Sequence, residues 1–300
     1  MQNVKTYSQT NIEVGQFSQL PLRQKYAIAD LLYVAYGLLI VALVLVSYIL
    51  GMFDLLPHDP QQIHMDMLLA PPASNGYLLG TDFMGRDILS RLIMGIQAYF
   101  LPGLLAISIA LTGGVVLGIL AGYCDRKTET MITYFTNLVD SFPRLVLILL
   151  VIAAFKPDIY YIMVVMGITG VPAVATAIAN KIRYLAHKNF IEAAVALGLR
   201  TRVIIFKHIL WYNCRALLII QATLGMGEAI LLETSLSYLG FGVQEPMPSW
   251  GNMVQSGANY FLQGNFWPST APALAILFTI LGFNLLGDGL NNILEDRRGR

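Results

Sequence analysis

The sequence predicts an all-α polytopic membrane protein with six transmembrane helices and both termini in the cytoplasm. Three observations carry that expectation. Of the 300 residues, 56% are hydrophobic and only 12% charged, about half the charged fraction of a soluble domain. The apolar residues gather into stretches of about twenty, the length at which a helix crosses roughly 30 Å of hydrocarbon. Of the 19 basic residues, 15 fall in alternate connections, and the positive-inside bias assigns that side to the cytoplasm. With a net charge of only +1, no basic field exists to hold nucleic acid. Cys124 and Cys214 have neither a CxxC spacing nor a neighbouring His, so they offer no zinc site and no disulfide framework.

The first apolar run, Leu31 to Leu50, carries no charge and lacks the small-residue cleavage site of a signal peptide, so it is expected to stay as an anchor. From Gly51 to Ala98 the composition turns to Pro, His, Asp and Asn, and the stretch from Asp87 to Gly95 has apolar residues at helical spacing, as expected of an amphipathic helix at the interface. Tyr99 to Gly122 is the second span. Gly114, Gly118 and Gly122 recur every four residues within it, marking one face for close helix packing. The third, Met131 to Phe155, contains Asp140 and Arg144 four apart, expected as a pair on one helical face or as an end anchor. Lys156-Pro157-Asp158 breaks it. Ile159 to Ala179 is the fourth span, Ile209 to Leu232 the fifth, with Gln221 and Glu228 inside, and Phe266 to Leu286 the sixth.

The charge bias comes from Lys5, Arg23 and Lys25 before span one, Arg126 and Lys127 between two and three, Lys181, Arg183, Lys188, Arg200, Arg202, Lys207 and Arg215 around the connection of four to five, and Arg297, Arg298 and Arg300 after six. Arg86, Arg91 and Lys156 lie in the opposite connections, and Arg144 lies within a span.

No phosphate loop, zinc-binding HExxH, GxSxG nucleophile turn or dinucleotide fingerprint occurs, so the chain is expected to catalyse nothing alone and to bind no cofactor itself. Asp140 and Asp288 lie in or beside spans, but in no recognisable protease motif. A metal site among His58, Asp59, His64, Met65 and Asp66 is disfavoured, because their spacing matches no fixed geometry. Glu228 and Glu233, five apart and thus on different sides of the fifth helix, are expected as pathway or gate residues or as paired structural carboxylates. Between spans four and five, Asn189 with Glu192 reads as a capping box that starts a short helix ending at Gly198, and Thr201 as the cap of a second. Ala193 and Ala194 leave that knob flat enough for a partner to grip closely.

Glu192-Ala-Ala, Gly198, then Lys207-His-Ile-Leu210 resembles the cytoplasmic coupling motif of ATP-binding-cassette importer permeases. Leu79-Gly-Thr-Asp-Phe-Met-Gly-Arg-Asp-Ile-Leu-Ser-Arg91, Leu236-Ser-Tyr-Leu-Gly-Phe-Gly-Val-Gln244, Pro248-Ser-Trp-Gly-Asn-Met253 and Phe283-Asn-Leu-Leu-Gly-Asp-Gly-Leu290 narrow the resemblance to the second permease subunit of the oligopeptide/dipeptide/nickel group. The likeness covers about residues 78 to 292. The chain departs from the group's usual pattern at Gln97, Cys124-Asp125 and Trp211-Tyr-Asn213.

That resemblance implies a type I, MetI-like transmembrane domain in a bacterial inner membrane. Residues 1–98 would form an N-terminal segment, first helix and external loop, and residues 99–300 a five-helix permease core with a coupling loop at 189–210. It implies a second homologous permease, two cytoplasmic ATPases that bind ATP and Mg, and an external substrate-binding protein. Glu192, Ala193, Ala194, Gly198, Arg200 and Arg202 would couple to the ATPases; Asp82, Arg86 and Asp87 would meet the binding protein, and the same Asp/Arg mixture could equally be an internally paired cap. The expected cargo is a peptide, with a nickel or metal-chelate permease as the alternative. A stand-alone channel or secondary carrier is a third reading, although spans one to three do not repeat four to six as an inverted-repeat carrier would.

Overall fold

Uncharged runs separated by proline, glycine and polar breaks become long helices joined by short ones. The computed structural model describes residues 22–155 and 158–296. Lys5, Lys156, Arg297, Arg298 and Arg300, counted above toward orientation, lie outside the described residues, as do the side chains of Arg23 and Lys25.

In chain order the helices are α1 (Leu22–Met52), α2 (Ile88–Gly95), α3 (Phe100–Tyr123), α4 (Arg126–Asp140), α5 (Arg144–Ala154), α6 (Ile159–Ala186), α7 (Asn189–Ala196), α8 (Thr201–Val203), α9 (Arg215–Tyr238), α10 (Trp250–Phe261) and α11 (Trp267–Asp296). A π-helical stretch, Ile204–Cys214, joins α8 to α9. No strand occurs among the described residues, and the only bridges there are isolated ones, Ser74 with Tyr77 and Thr81 with Asp87. Five helical stretches are long and apolar enough to cross a membrane, and six when the bent pair α4–α5 is taken as one span.

Since lipid is as apolar as leucine, these helices associate through close packing rather than through the hydrophobic effect. The glycine row of α3 supplies it: a Cβ on Gly118 would lie 2.7 Å from Cβ of Ile178, and one on Gly122 2.9 Å from Cβ of Ile182, both on α6. Gly167 of α6 answers, with a built Cβ 2.8 Å from the carbonyl of Ala106. At these positions only the missing side chain lets the two backbones approach. On the other side α1 lies along α11, where Gly282 faces Ile40 and Gly289 faces Val34, and α9 and α10 also pack on α11.

These contacts define two ends. At one, Asn292 donates to Asp30 at 2.8 Å and Arg183 pairs with Glu129 at 2.9 Å, so the start of α1, the start of α4 and the ends of α6 and α11 gather beside α7. At the other, the 53–87 segment, α2, the 239–249 connection and α10 form a cap. Trp250 is buried and Trp267 half-buried at this end, and their indole N–H groups find carbonyls, Trp250 at Leu92 (2.9 Å) and Trp267 at Thr81 (3.1 Å). Ser249 and Asn252 cap α10 reciprocally, a capping box spelled by their spacing. The segment before residue 98 is packed against the rest of the chain, α1 and α2 both touching α11.

Three local expectations change. The third span is not one helix: Ser141-Phe142-Pro143 breaks it and α5 departs at 71° to α4, because Pro143 disfavours helical backbone at Phe142 and cannot continue the hydrogen-bond ladder. Asp140 and Arg144 therefore do not share a helical face. The helix expected at the interface forms at α2, with Asp87 accepting at its N-terminus from the amides of Leu89 and Ser90, yet Ser90 and Arg91 point inward and are buried. The capping box at Asn189 and Glu192 is absent, since Lys188 is the N-cap and makes no side-chain cap. Thr201 likewise sits inside α8, after Arg200 as N-cap. Lys188 and Arg200 take the extended N-cap backbone, so Asn189 and Thr201 enter the first turn instead.

Candidate functional site: an exposed knob, a charged cleft and a paired cap

The knob is built by two buried residues. Ile191 and Ala194 of α7, three apart and so on one face, pack with Ile182 and Leu185 of α6 and with Ile204 and Ile209 of the π-helical stretch. Glu192 and Ala193 point away and are exposed, and so are Arg200 and Arg202. Ala194, expected at the flat outer surface, is instead part of the seat. The helix ends in a Schellman motif: the amide of Gly198 donates to Val195 O (2.9 Å) and that of Leu199 to Ala194 O (3.1 Å), with Gly198 at φ +74°. That backbone conformation suits glycine, as the sequence indicates. The same turn leaves Leu197 80% exposed beside the exposed Val195, an apolar tip with no partner among the described residues.

The cleft lies between α3, α5, α6 and α9. Gln221, Leu224, Gly225 and Glu228 line it at spacings of three and four along one face of α9. Arg144, freed from α4 by the proline break, reaches across at the first turn of α5 and donates to Glu228 at 2.7 Å. The break therefore replaces the expected Asp140 partner with a residue 84 positions away. Glu233, five residues beyond Glu228, faces elsewhere. It is fully buried and accepts from the Ser237 hydroxyl at 2.6 Å, while its Oε2 and the hydroxyl of buried Tyr99 have no hydrogen-bond partner among the described residues. So the structure brings Glu228 to the cleft and holds Glu233 outside it.

The cap holds the third expected set. Asp82, Arg86 and Asp87 are buried, and their polar atoms are committed inward. Arg86 pairs with Asp82 at 2.7 Å and with Glu245 at 2.8 Å, and Arg91 pairs with Glu245 at 3.0 Å and donates to Pro60 O at 3.1 Å. Asp87 accepts from Ser90 Oγ at 2.6 Å and lies 3.2 Å from His58 Nδ1. These three side chains are paired within the chain, as in the internally paired cap. Sequence reasoning missed Glu245, which joins both arginines. Its signal was an excess: Arg86 and Arg91 in one short segment need more than Asp82 once buried. Among the described residues no group of three or more His, Cys, Asp or Glu side chains is placed to hold a metal.

Comparison with known proteins agrees with this geometry. Residues 114–300 match the family of binding-protein-dependent transport system inner membrane components. The chain is 35% identical over 246 residues to the di/tripeptide transport system permease protein of Pseudomonas aeruginosa, covering 80% of each. It is 32% identical over 276 residues to the oligopeptide transport system permease protein of Haemophilus influenzae, covering 92% of this chain and 86% of that one. In fold it is similar to a chain of the MetNI methionine ABC transporter in inward facing conformations, with a TM-score of 0.55 at 16% identity, covering 68% of this chain and 96% of the other. With its membrane-length helices and MetI-like fold, the chain belongs to the family of binding-protein-dependent transport system inner membrane components, as a multi-pass permease of the ATP-binding-cassette importers.

Proposed function

We propose that this chain forms half of the translocation pathway of an ATP-driven peptide importer, pairing with a second permease and taking its energy from two ATPases that grip α7. The observation that carries the reading is the knob. Its outer face, Glu192, Ala193 and the Leu197 tip, is exposed while its inner face is packed, the arrangement of a part built for a partner. The peptide class is supported by the relatives named for di/tripeptides and oligopeptides; a metal-chelate cargo has no such support.

The end that carries α7 is the cytoplasmic one in this reading, by the charge bias, and the cap is external. ATP and Mg belong to the partner subunits. The knob continues through α8 and the π-helical stretch directly into α9, whose face lines the cleft. Closure of the ATPases on Glu192, Ala193, Gly198, Arg200 and Arg202 would therefore displace Glu228 and shift the cleft between inward- and outward-open states. The external binding protein would meet the outer surface of the cap, whose Asp82, Arg86 and Asp87 hold its shape without touching the partner.

Reconstitution tests this. The chain with its second permease, ATPases and binding protein in vesicles should accumulate dialanine only when ATP is supplied, and the chain alone should hydrolyse none. ATP turnover by the isolated chain, or uptake without the ATPases, would overturn the reading.

A further inference from the structure

The cleft's charges deepen this reading and rest on it. Among the residues that line the cleft, only Arg144 and Glu228 are charged, one of each sign. They differ from the ion pairs of the cap. Arg144 is 36% and Glu228 58% exposed at the side chain, whereas Arg86 and Arg91 are at most 4% exposed. The cap arginines each have several acceptors, but Arg144 and Glu228 share a single contact. So open a pair contributes little by itself and exchanges partners readily.

We infer that Arg144 and Glu228 form a charge-exchange site for the two ends of a short zwitterionic peptide, Arg144 taking its C-terminal carboxylate and Glu228 its N-terminal ammonium. The lining sets the class of ligand. A free divalent cation would be repelled by Arg144, and a simple anion by Glu228; only a ligand carrying both signs satisfies both groups. A guanidinium is also the group that best matches a carboxylate's two oxygens. Around the pair the cleft is apolar or small, with Leu111, Met166, Gly170 and Gly225, so a cargo's own side chains meet no group that demands a particular partner. Gln221, seven residues before Glu228 on the same face, offers an amide to a peptide bond. The termini would thus be read and the side chains tolerated.

The test measures equilibrium binding of radiolabelled dialanine to the purified permease–ATPase assembly without binding protein, with N-acetyl-dialanine and dialanine amide as competitors. Each blocked peptide has lost one charge. The assembly should prefer free dialanine to either by about two- to fivefold, the scale of one exposed ionic contact. Glu228→Gln should abolish the preference over the acetylated peptide and keep that over the amide, and Arg144→Gln should do the reverse. A pair that only braces α5 against α9 would weaken all three peptides equally. Arg144→Lys and Glu228→Asp, which preserve both charges, should retain the discrimination even if overall affinity falls, and guard against a failure of assembly in the neutral variants. Unchanged discrimination in the Gln variants, lost discrimination in the charge-preserving ones, or no dialanine binding at millimolar concentration overturns the exchange site. Failure of the complete wild-type transporter to take up dialanine instead overturns the peptide reading.

Discussion

The cap and the knob use similar residues for opposite ends. Both carry arginines and acids in short segments. In the cap, Arg86 and Arg91 are buried and meet Asp82 and Glu245, so that the loops after α1 and α9 are tied together through α2. In the knob, Glu192, Arg200 and Arg202 are all exposed, and the packing beneath them is apolar, Ile191 and Ala194 seated on α6 and the π-helical stretch. The difference follows from what each charge can afford to lose. A buried charge must find its partner inside the chain, whereas an exposed charge remains hydrated and available to a second protein. A motif that looks functional can therefore be committed to shape.

The largest effect that would sharpen this contrast is expected in the cap. Arg91→Ala removes one of the two arginines that hold Glu245 and leaves the buried carbonyl of Pro60 without its arginine donor, and should destabilise the chain by up to about 3 kcal/mol, the cost of leaving a buried acceptor unpaired. Thermal unfolding in detergent measures it; an unchanged midpoint would mean that the knot contributes nothing to the cap.

A smaller and different effect is expected in the knob. Gly198→Val forces a branched residue to φ +74°, where the space is open but the backbone strained, at a cost of about 1–2 kcal/mol. Glu192→Ala removes no cap and no contact within the chain, so unfolding should not move. Both variants should co-purify with the second permease, while transport and the ATPase stimulation by loaded binding protein fall. Normal coupling in both would erase the functional distinction between the two ends.

The smallest perturbation is chemical labelling, which tests which end is which. Cys124 is exposed at the α7 end and Cys214 is buried. A membrane-impermeant thiol reagent should leave both unmodified from outside intact cells and should modify Cys124 alone in inverted vesicles. Modification of Cys124 from outside would reverse the orientation of the whole comparison.

How much of this is legible in the sequence depends on the range of the interaction. The spans, the glycine face of α3 and the left-handed turn at Gly198 follow from local rules: apolar length, a four-residue recurrence, and the steric freedom of glycine. The break at Pro143 was visible as a residue, yet the continuous apolar run around it suggested one helix, because hydrophobic patterning does not register a single missing amide. The starts of α7 and α8 were displaced by a residue, since both helices begin without a side-chain cap that the sequence could mark.

The sequence alone determined the membrane-spanning class, most of the long apolar helices and the glycine turn that ends α7, because each is set by residues near one another in the chain. Only the tertiary structure decided that Arg144 answers Glu228 rather than Asp140, that Glu245 closes the cap, and that Glu233 is sealed away from the cleft. Those choices were made by helices that meet from distant parts of the chain, and a charge takes the nearest satisfactory partner in space, whatever its distance in sequence.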